Sequence, residues 1–398
     1  MKIEKAERLT QIPPYLFALL DKLKKELREK GKNIIDLGVG DPDLPTPSPI
    51  IEKLSQAAQN PENHRYPSYK GLLSFRQAIS QWYRRRFGVE LDPQNEIITL
   101  IGSKEGIAHL PLCLINPGDL ALVPEPAYPV YRAGVIFAGG KPFTLPLLEE
   151  KEFLPRIEDI EEKIARKAKI LFLNYPHNPT GAVADKNFFK KVVEFAKKFN
   201  VVICHDLAYS EIFFTRQRPP SLLEVKGGKE VGIEFHSLSK TFNMTGWRIG
   251  FAGGNKELIK SLGEVKTNID SGVFQAIQEA GIEALKREEE LNGRIRRIYQ
   301  KRRDIMVKSL REIGWKISVP RATFYLWIKL PKGSSSLEFT EKLMEQCEVV
   351  VTPGIGFGSY GEGYIRISLT VAEEKIKEAV KRIKEDKIIS NEISKCQN

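Results

Sequence analysis

The chain has 398 residues, and its 62 Lys and Arg outnumber its 51 Asp and Glu, which gives a net charge of +11. Its 41% hydrophobic and 28% charged residues are ordinary for a globular protein. It contains no run of about 18 apolar residues, and its charged start lacks the apolar stretch of a secretory signal, so we expect neither a membrane span nor export. The positive balance leaves nucleic acid open as a partner.

The cysteines argue against covalent staples and metal sites. Cys113, Cys204, Cys347 and Cys396 lie far apart in the chain, with no Cys-x-x-Cys pair among them. We therefore expect no disulfide framework, no zinc site and a protein of the reducing cytoplasm.

Amphipathic helices and apolar strands alternate over most of the chain. In chain order we expect a helix from Pro13 to Lys30, a strand Ile34–Leu37, helices Ile50–Gln59 and Leu72–Phe87, and then strands Ile97–Ile101, Leu120–Val123, Ile170–Asn174, Val201–Asp206 and Ile233–Ser237. Helical stretches separate most of these strands. Such alternation predicts an α/β architecture around a mainly parallel sheet.

The pattern changes from about Glu279 onward. A long basic helical stretch passes through Arg294 and Arg303, and it is followed by strands Phe324–Ile328, Val349–Val351 and Tyr364–Ser368 and by a closing helix, Ala372–Glu385. These shorter elements predict a second, smaller α+β domain. We divide the chain into an N-terminal arm with part of the small domain (1–45), a large domain (46–285) and a small C-terminal domain (286–398).

The strongest chemical signal is a lysine just past the end of a predicted strand. Ser237-Leu-Ser239-Lys240 is followed eight residues after the lysine by Arg248, within Gly-Trp-Arg-Ile-Gly. An amine forms a Schiff base with an aldehyde, and hydroxyls and a guanidinium hold a phosphate. The pattern therefore favours a site for a phosphorylated aldehyde over a surface lysine in a turn.

Polar residues also follow two other predicted strands. Asn174-Tyr-Pro-His-Asn178-Pro-Thr-Gly begins where one strand ends, and Asp206-Leu-Ala-Tyr209 begins where the next one ends. The carboxyl ends of strands in α/β proteins border the ligand crevice, so these side chains are candidate ligand contacts. Taken separately, each motif is more typical of a turn or a cap than of a ligand contact.

Together and in this order, these segments resemble the class I/II pyridoxal-phosphate-dependent aminotransferases of fold type I. The spacings are 28 residues from Asn178 to Asp206, 34 to Lys240 and 8 to Arg248. The resemblance covers nearly the whole chain. It implies an α/β fold, with a mainly parallel sheet flanked by helices in a large domain and a smaller α+β domain. It also implies pyridoxal 5'-phosphate as cofactor and a homodimer with shared active sites.

The resemblance implies a role for each matching residue. Lys240 would carry the Schiff base and move the substrate proton, while Asp206 would pair with the pyridinium nitrogen. Asn178 and Tyr209 would donate to the phenolic oxygen of the cofactor, and Tyr128 would stack on its ring. These roles give Lys240 and Asp206 as the expected catalytic residues.

The remaining matching residues would hold anions. The cofactor phosphate would lie among hydroxyls, the backbone amides of a helix start and an arginine, contributed by Ser103, Lys104, Ser237, Ser239 and Arg248, with Tyr66 or Tyr69 reaching in from the neighbouring subunit. Arg366 would grip the substrate α-carboxylate, because the guanidinium fork matches a carboxylate with two parallel hydrogen bonds.

Four segments resemble the LL-diaminopimelate aminotransferases of lysine biosynthesis, namely Ile12–Phe17, Gly38–Pro47, Gly102–His109 and Lys266–Gly272. That resemblance implies amino transfer between L-glutamate and tetrahydrodipicolinate. Tyr15, the Gly40 backbone, Lys104, Tyr128, Asn178 and Arg366 would then contact substrate.

Alternatives to this substrate remain. A lysine at position 104 fits any acidic substrate tail, so aspartate or another dicarboxylic amino acid stays open. Alanine as substrate and a carbon–sulfur lyase are further alternatives. A DNA-binding regulator with an aminotransferase-like domain needs an added N-terminal region, and little chain precedes the first predicted strand. We therefore expect small-molecule substrates, with no metal, nucleic acid or membrane partner.

Overall fold

The structure is a computed structural model that describes residue 1 and residues 3–12 and 16–394, except for the side chains of residues 16–20, 22, 391 and 394. The helices are α1 Glu7–Thr10, α2 Leu16–Glu29, α3 Ser48–Ala58, α4 Leu73–Phe87, α5 Ser103–Leu114, α6 Val130–Phe137, α7 Glu162–Ala165, α8 Lys186–Phe199, α9 Gly228–Val231, α10 Leu238–Thr241, α11 Lys256–Thr267, α12 Gln275–Lys286, α13 Glu288–Glu312, α14 Ser336–Gln346, α15 Glu373–Glu385 and α16 Lys387–Ser394. The strands are β1 Ile35–Asp36, β2 Ile97–Leu100, β3 Leu120–Glu125, β4 Lys141–Pro146, β5 Ala168–Asn174, β6 Val202–Asp206, β7 Gly232–Ser237, β8 Gly250–Gly254, β9 Tyr325–Lys329, β10 Val349–Val350, β11 Thr352–Pro353 and β12 Tyr364–Ser368.

A seven-stranded sheet forms the centre of the larger part of the molecule. Its order is β2-β8-β7-β6-β5-β3-β4, and every neighbouring pair is parallel except those of β8, which runs antiparallel to β2 and β7. Ile170 and Phe172 of β5 pack in one hydrophobic cluster with residues of α5 and α6, whereas Leu171 and Leu173 pack in another with residues of α8. Helices therefore cover both faces of the sheet, and the predicted α/β fold is confirmed.

The smaller part contains an antiparallel sheet, β11-β12-β9, whose buried residues share a hydrophobic cluster with residues of α13 and α15. The chain's first strand joins this part, because β1 pairs in parallel with β10 through Ile35 and Val349. The chain segments that precede and follow the large sheet in sequence therefore meet in this smaller part.

Two strands of the large sheet are absent from the sequence-based expectation. β4 is an edge strand with several exposed residues, and β8 reads Gly-Phe-Ala-Gly-Gly, which carries little strand signal. Gly250 is required by its neighbours, since a Cβ there would lie 2.6 Å from the His236 carbonyl oxygen and 2.8 Å from the Ser103 amide nitrogen. The close approach of neighbouring backbone to Gly250 is a tertiary property, and it explains why the sequence did not predict β8.

Within the described ranges, none of the helices combines the length and apolar character needed to cross a membrane. The same part of the chain holds no cluster of three or more His, Cys, Asp or Glu side chains suited to a metal ion. Cys113, Cys204 and Cys347 are free thiols.

Candidate active site

A cavity of about 420 Å³ lies at the carboxyl ends of β5, β6 and β7, whose last residues, Asn174, Asp206 and Ser237, all line it. Its wall brings together most of the residues expected from the sequence: Gly40, Ser103, Lys104, Tyr128, Asn178, Asp206, Tyr209, Ser237, Ser239, Lys240, Arg248 and Arg366. They lie at the ends of strands of the large sheet, in the segments that follow those strands, at the start of α5, in the loop after β1 and on β12. The larger and the smaller part of the molecule therefore both contribute to the site.

Two expected residues do not line this cavity. Tyr66 and Tyr69 lie on a surface segment, with 87% and 47% of their respective areas exposed. Tyr15 lies outside the described residues. His205, which directly precedes Asp206, is fully buried and its Nδ1 lies 2.8 Å from the Glu234 carboxylate. Strand alternation turns it away from the site.

Lys240 enters the cavity from α10, the short helix that follows β7. Ser237 caps this helix, its hydroxyl oxygen accepting from the Ser239 amide. The Lys240 ammonium donates to the Gly40 carbonyl oxygen over 2.8 Å. Burial, together with the cations Arg366 and Arg248, lowers the pKa of Lys240 to about 8. A lysine of this kind is largely available as a neutral nucleophile at mildly alkaline pH.

Asp206 ends β6 as a buried carboxylate. Its Oδ2 accepts from the Tyr131 hydroxyl over 2.8 Å, and its Oδ1 accepts from the Ala208 amide over 3.3 Å. Burial raises the pKa of Asp206, while these two hydrogen bonds oppose the rise. A cation bound in the cavity next to this carboxylate would favour its ionised form.

Arg366 projects from the middle of β12 and is buried. Its Nη1 donates to the Asn178 side-chain oxygen over 2.8 Å, and its Nη2 donates to the Gly38 carbonyl oxygen over 2.7 Å. Its guanidinium also lies 4.2 Å from the centre of the Tyr325 ring. The fork is therefore held in one orientation before any carboxylate arrives, which favours a two-point contact.

A cradle for an anion forms where α5 begins. Gly102 precedes the helix with φ +77°, and a Cβ there would lie 2.3 Å from Nη2 of Arg248. The Arg248 guanidinium is held by the carbonyl oxygens of Thr245 and Ile101, at 2.8 and 3.5 Å. Backbone amides at the helix start, the helix dipole and the guanidinium together suit a phosphate.

Sequence reasoning missed three residues that hold the others in place. Asn174 donates to the Asp206 carbonyl oxygen and accepts from the Asn178 amide, both over 2.8 Å. Tyr325 lies 3.0 Å, hydroxyl to hydroxyl, from Tyr209. Tyr131, in the first turn of α6, contacts Asp206 as described, and its position three residues after Tyr128 was the one available signal.

Residues 32–383 match the family Aminotransferase class I and II. The chain belongs to this family. The aminotransferase is 58% identical to an LL-diaminopimelate aminotransferase of Aquifex aeolicus over 385 residues, covering 97% of this chain and 100% of the relative. It is 53% identical to an LL-diaminopimelate aminotransferase of Halothermothrix orenii, covering 97% and 99%.

Solved structures show the same fold. Substrate-bound BacF from Bacillus subtilis superposes on the aminotransferase with a TM-score of 0.93 at 41% identity, covering 97% of this chain and 98% of that one. The predicted fold type I architecture is therefore confirmed over nearly the whole length.

The family and its fold imply the use of pyridoxal 5'-phosphate, and the cavity fits this group. Substituting Gly102 would fill the anion cradle, Asp206 supplies a buried carboxylate for a protonated ring nitrogen, and Lys240 supplies an amine with a lowered pKa. The phosphate, ring and aldehyde of such a group would each find a suitable partner within one cavity.

Proposed function

We propose that this aminotransferase transfers an amino group between L-glutamate and 2-oxoglutarate on one side and LL-2,6-diaminopimelate and tetrahydrodipicolinate on the other, in lysine biosynthesis. The observation that carries the proposal is the shared name of the curated relatives, which match the chain almost end to end at 53% and 58% identity. The cavity supports it, since Arg366 and Lys104 offer separate cations for two carboxylates of one substrate.

The proposed cofactor is pyridoxal 5'-phosphate. When bound, it supplies an aldehyde that condenses with amines and a ring that withdraws electrons from the substrate α-carbon. Ser103, Ser237, Ser239, Lys104 and Arg248 are proposed to hold its phosphate. The three serine hydroxyls, the Arg248 guanidinium and the backbone amides of Ser103 and Lys104 at the start of α5 all border the cavity, which leaves the Lys104 ammonium for the substrate.

The ring is proposed to lie between the side chains that the sheet edge presents. Tyr128 would pack on one face, held edge-to-face by Tyr131 at 6.1 Å between ring centres. Asp206 would pair with the ring nitrogen, while Asn178 and Tyr209 would donate to the phenolic oxygen. Asn178 already accepts from Arg366, so its side chain links the cofactor contact to the substrate contact.

Lys240 is proposed to do the proton chemistry. Its Nζ, which is neutral above a pKa of about 8, would bind the cofactor aldehyde. Once the substrate amine had displaced it, the freed lysine would take the proton from the substrate α-carbon and return it later in the transfer. Arg366 holds the α-carboxylate during this exchange, so that the Cα–H bond stays near the lysine. Tyr15 and the Gly40 backbone are proposed as additional substrate contacts, Gly40 being the acceptor for Lys240.

We propose a homodimer with shared active sites. The exposed tyrosine segment supports it, because Tyr66 projects from the subunit surface and donates to nothing in its own cavity. Of the two tyrosines, the more exposed Tyr66 is the better candidate to reach the partner's phosphate. We also propose the division of the chain into an N-terminal arm (1–45), a large domain (46–285) and a small domain (286–398).

A cytoplasmic location is proposed as well, and the free thiols at Cys113, Cys204 and Cys347 support it because they fit a reducing compartment. We propose no nucleic acid or membrane partner.

A donor and acceptor screen tests this function. Purified enzyme with pyridoxal 5'-phosphate should convert 2-oxoglutarate to glutamate with LL-2,6-diaminopimelate as donor, and much more slowly with aspartate or alanine. Fast transfer from aspartate with none from diaminopimelate would replace the proposal with an aspartate aminotransferase, which Lys104 also fits. Pyruvate release from cystathionine would indicate a carbon–sulfur lyase instead.

A further inference from the structure

A buried lysine outside the cavity lies behind the start of α5. Lys266, in the last turn of α11, has no exposed surface, and its Nζ donates to Glu105 over 3.0 Å and to both oxygens of Asp270 over 2.7 and 2.9 Å. Removing an ammonium from water is costly unless carboxylates compensate for it. The two carboxylates provide that compensation, so the three groups form one unit, which we call the Lys266 brace.

Each carboxylate of the brace also closes a turn of the backbone. Glu105 Oε2 accepts from the Ile101 amide over 2.5 Å, and Asp270 Oδ1 accepts from the Gly272 amide over 2.7 Å. The Ile101 carbonyl oxygen in turn accepts from Arg248. Ile101, the residue before Gly102, is therefore held through its amide by the brace and through its carbonyl oxygen by the arginine of the anion cradle.

The charges of the brace matter because an anion is expected nearby. Glu105 and Asp270 bring two carboxylates against the single ammonium of Lys266. His109 Nδ1 lies 3.7 Å from Glu105, but burial lowers the pKa of His109, so at neutral pH it adds no positive charge. Without the lysine, two carboxylates would face each other behind the cradle. They would separate or take up a proton, and Glu105 would lose its fixed position under Ile101.

We propose that Lys266 is a positioning residue for cofactor phosphate: through Glu105 it holds the turn at residues 101–105 in the shape that binds the anion. This inference rests on the proposed use of pyridoxal 5'-phosphate. It assigns a purpose to the Lys266–Gly272 segment, which contributes nothing to the cavity wall. Because Lys266 acts only on the phosphate end, its effect is confined to ligands that carry a phosphate.

The test compares pyridoxal 5'-phosphate with pyridoxal, which lacks the phosphate. Both are titrated into full-length apoprotein of the wild type and of Lys266→Met, and dissociation constants are measured from absorbance. The variant is expected to bind pyridoxal 5'-phosphate about tenfold more weakly, the effect of one lost charge-assisted hydrogen bond, and to bind pyridoxal unchanged. Equal weakening of both ligands, or of neither, overturns the proposal.

A matched control separates positioning from general destabilisation. Arg86 forms a buried ion pair with Glu211 at 3.0 Å, away from the cavity wall, so Arg86→Met should lower the melting temperature and leave the ratio of the two dissociation constants as in the wild type. A changed ratio in Arg86→Met would show that the ratio reports stability and would overturn the proposal.

A milder variant covers the case in which Lys266→Met does not fold. Glu105→Gln keeps an oxygen acceptor for Ile101 but breaks the ion pair, and it should lower the preference for pyridoxal 5'-phosphate about threefold. An unchanged preference overturns the brace while leaving the aminotransferase function standing. A wild type that does not prefer pyridoxal 5'-phosphate over pyridoxal overturns the proposed cofactor and the brace together.

Discussion

The Tyr131 hydroxyl donates to the Asp206 carboxylate over 2.8 Å, joining the first helical turn after Tyr128 to the end of β6. Tyr131 is buried, and its ring stacks on Phe172 of β5 at 5.3 Å between centres. The hydroxyl has no freedom to turn elsewhere. Together with the hydrogen bond from the Ala208 amide, this contact positions the carboxylate proposed to face the cofactor nitrogen and opposes the rise in its pKa that burial causes.

Tyr131→Phe removes that donor with little change in volume. A hydrogen bond to the ionised form lowers the pKa of a carboxyl, so its loss adds to the rise that burial already causes at Asp206. Protonated Asp206 no longer supports a charged ring, and we expect the acid limb of the pH profile of kcat/KM to move to higher pH. Tyr175→Phe is the control, because Tyr175 is equally buried and its hydroxyl donates to the Phe153 carbonyl oxygen over 2.7 Å. A shift of similar size in both variants would contradict this role.

Lys240 controls the pH dependence of cofactor capture. Its pKa is lowered to about 8, so the fraction of neutral amine increases as the pH rises through that value. Apoprotein should therefore take up pyridoxal 5'-phosphate faster at pH 9 than at pH 7. Lys240→Ala should abolish transfer and covalent capture. Borohydride reduction followed by mass spectrometry locates the modified lysine, and a label on another lysine would refute the assignment.

Arg366→Lys keeps the positive charge but loses the planar guanidinium with its paired N–H donors. A lysine cannot make two parallel hydrogen bonds to a carboxylate, so we expect the KM for glutamate to rise about a hundredfold. Binding of pyridoxal 5'-phosphate to the apoprotein should change much less than the KM, since Asn178, the neighbour of Arg366 that is proposed to contact the cofactor, stays in place. A variant with wild-type KM would remove Arg366 from the substrate site.

Gly102→Ala is expected to damage the anion cradle. The new Cβ would meet Arg248 Nη2, and the backbone at φ +77° and ψ 155° disfavours any side chain by about 1–3 kcal/mol. Affinity for pyridoxal 5'-phosphate should fall, with a lower melting temperature. Gly246→Ala, with no atom within 4 Å of the added carbon, should preserve both. Equal affinity in the two variants would argue against a phosphate at this helix start.

Tyr66→Phe and Tyr69→Phe together decide which tyrosine reaches the partner's site. Removal of the hydroxyl that contacts the neighbouring phosphate should lower the affinity for pyridoxal 5'-phosphate about tenfold, whereas removal of the other hydroxyl should leave it unchanged. Because Tyr66 is the more exposed of the two, we expect the loss of affinity in Tyr66→Phe. Sedimentation of the wild type supplies the companion measurement, because a monomer that binds the cofactor fully would contradict the shared site.

Much of the site was accessible to sequence reasoning because its residues follow strand ends. Asp206 is the last residue of β6, and Asn178 and Lys240 come shortly after β5 and β7. Parallel strands place their carboxyl ends side by side. The short Gly-rich β8 was not accessible, since its identity comes from backbone contacts with Ser103 and His236. Tyr325 was also missed, as nothing in its own strand distinguishes it from a core residue.

The sequence alone determined the family, the α/β order of elements and the set of polar residues around one lysine, because these depend on local periodicity and on motif spacing along the chain. The tertiary structure alone decided how those residues are held. The contact of Tyr131 with Asp206 spans 75 positions, and that of Lys266 with Glu105 spans 161. Such contacts depend on which helices pack together, and the pKa values of Asp206 and Lys240 depend on the burial that this packing produces. The tertiary structure likewise places four of the cations that contribute to the net charge of +11 in one cavity, where they would attract anionic ligands. These four are Lys104, Lys240, Arg248 and Arg366.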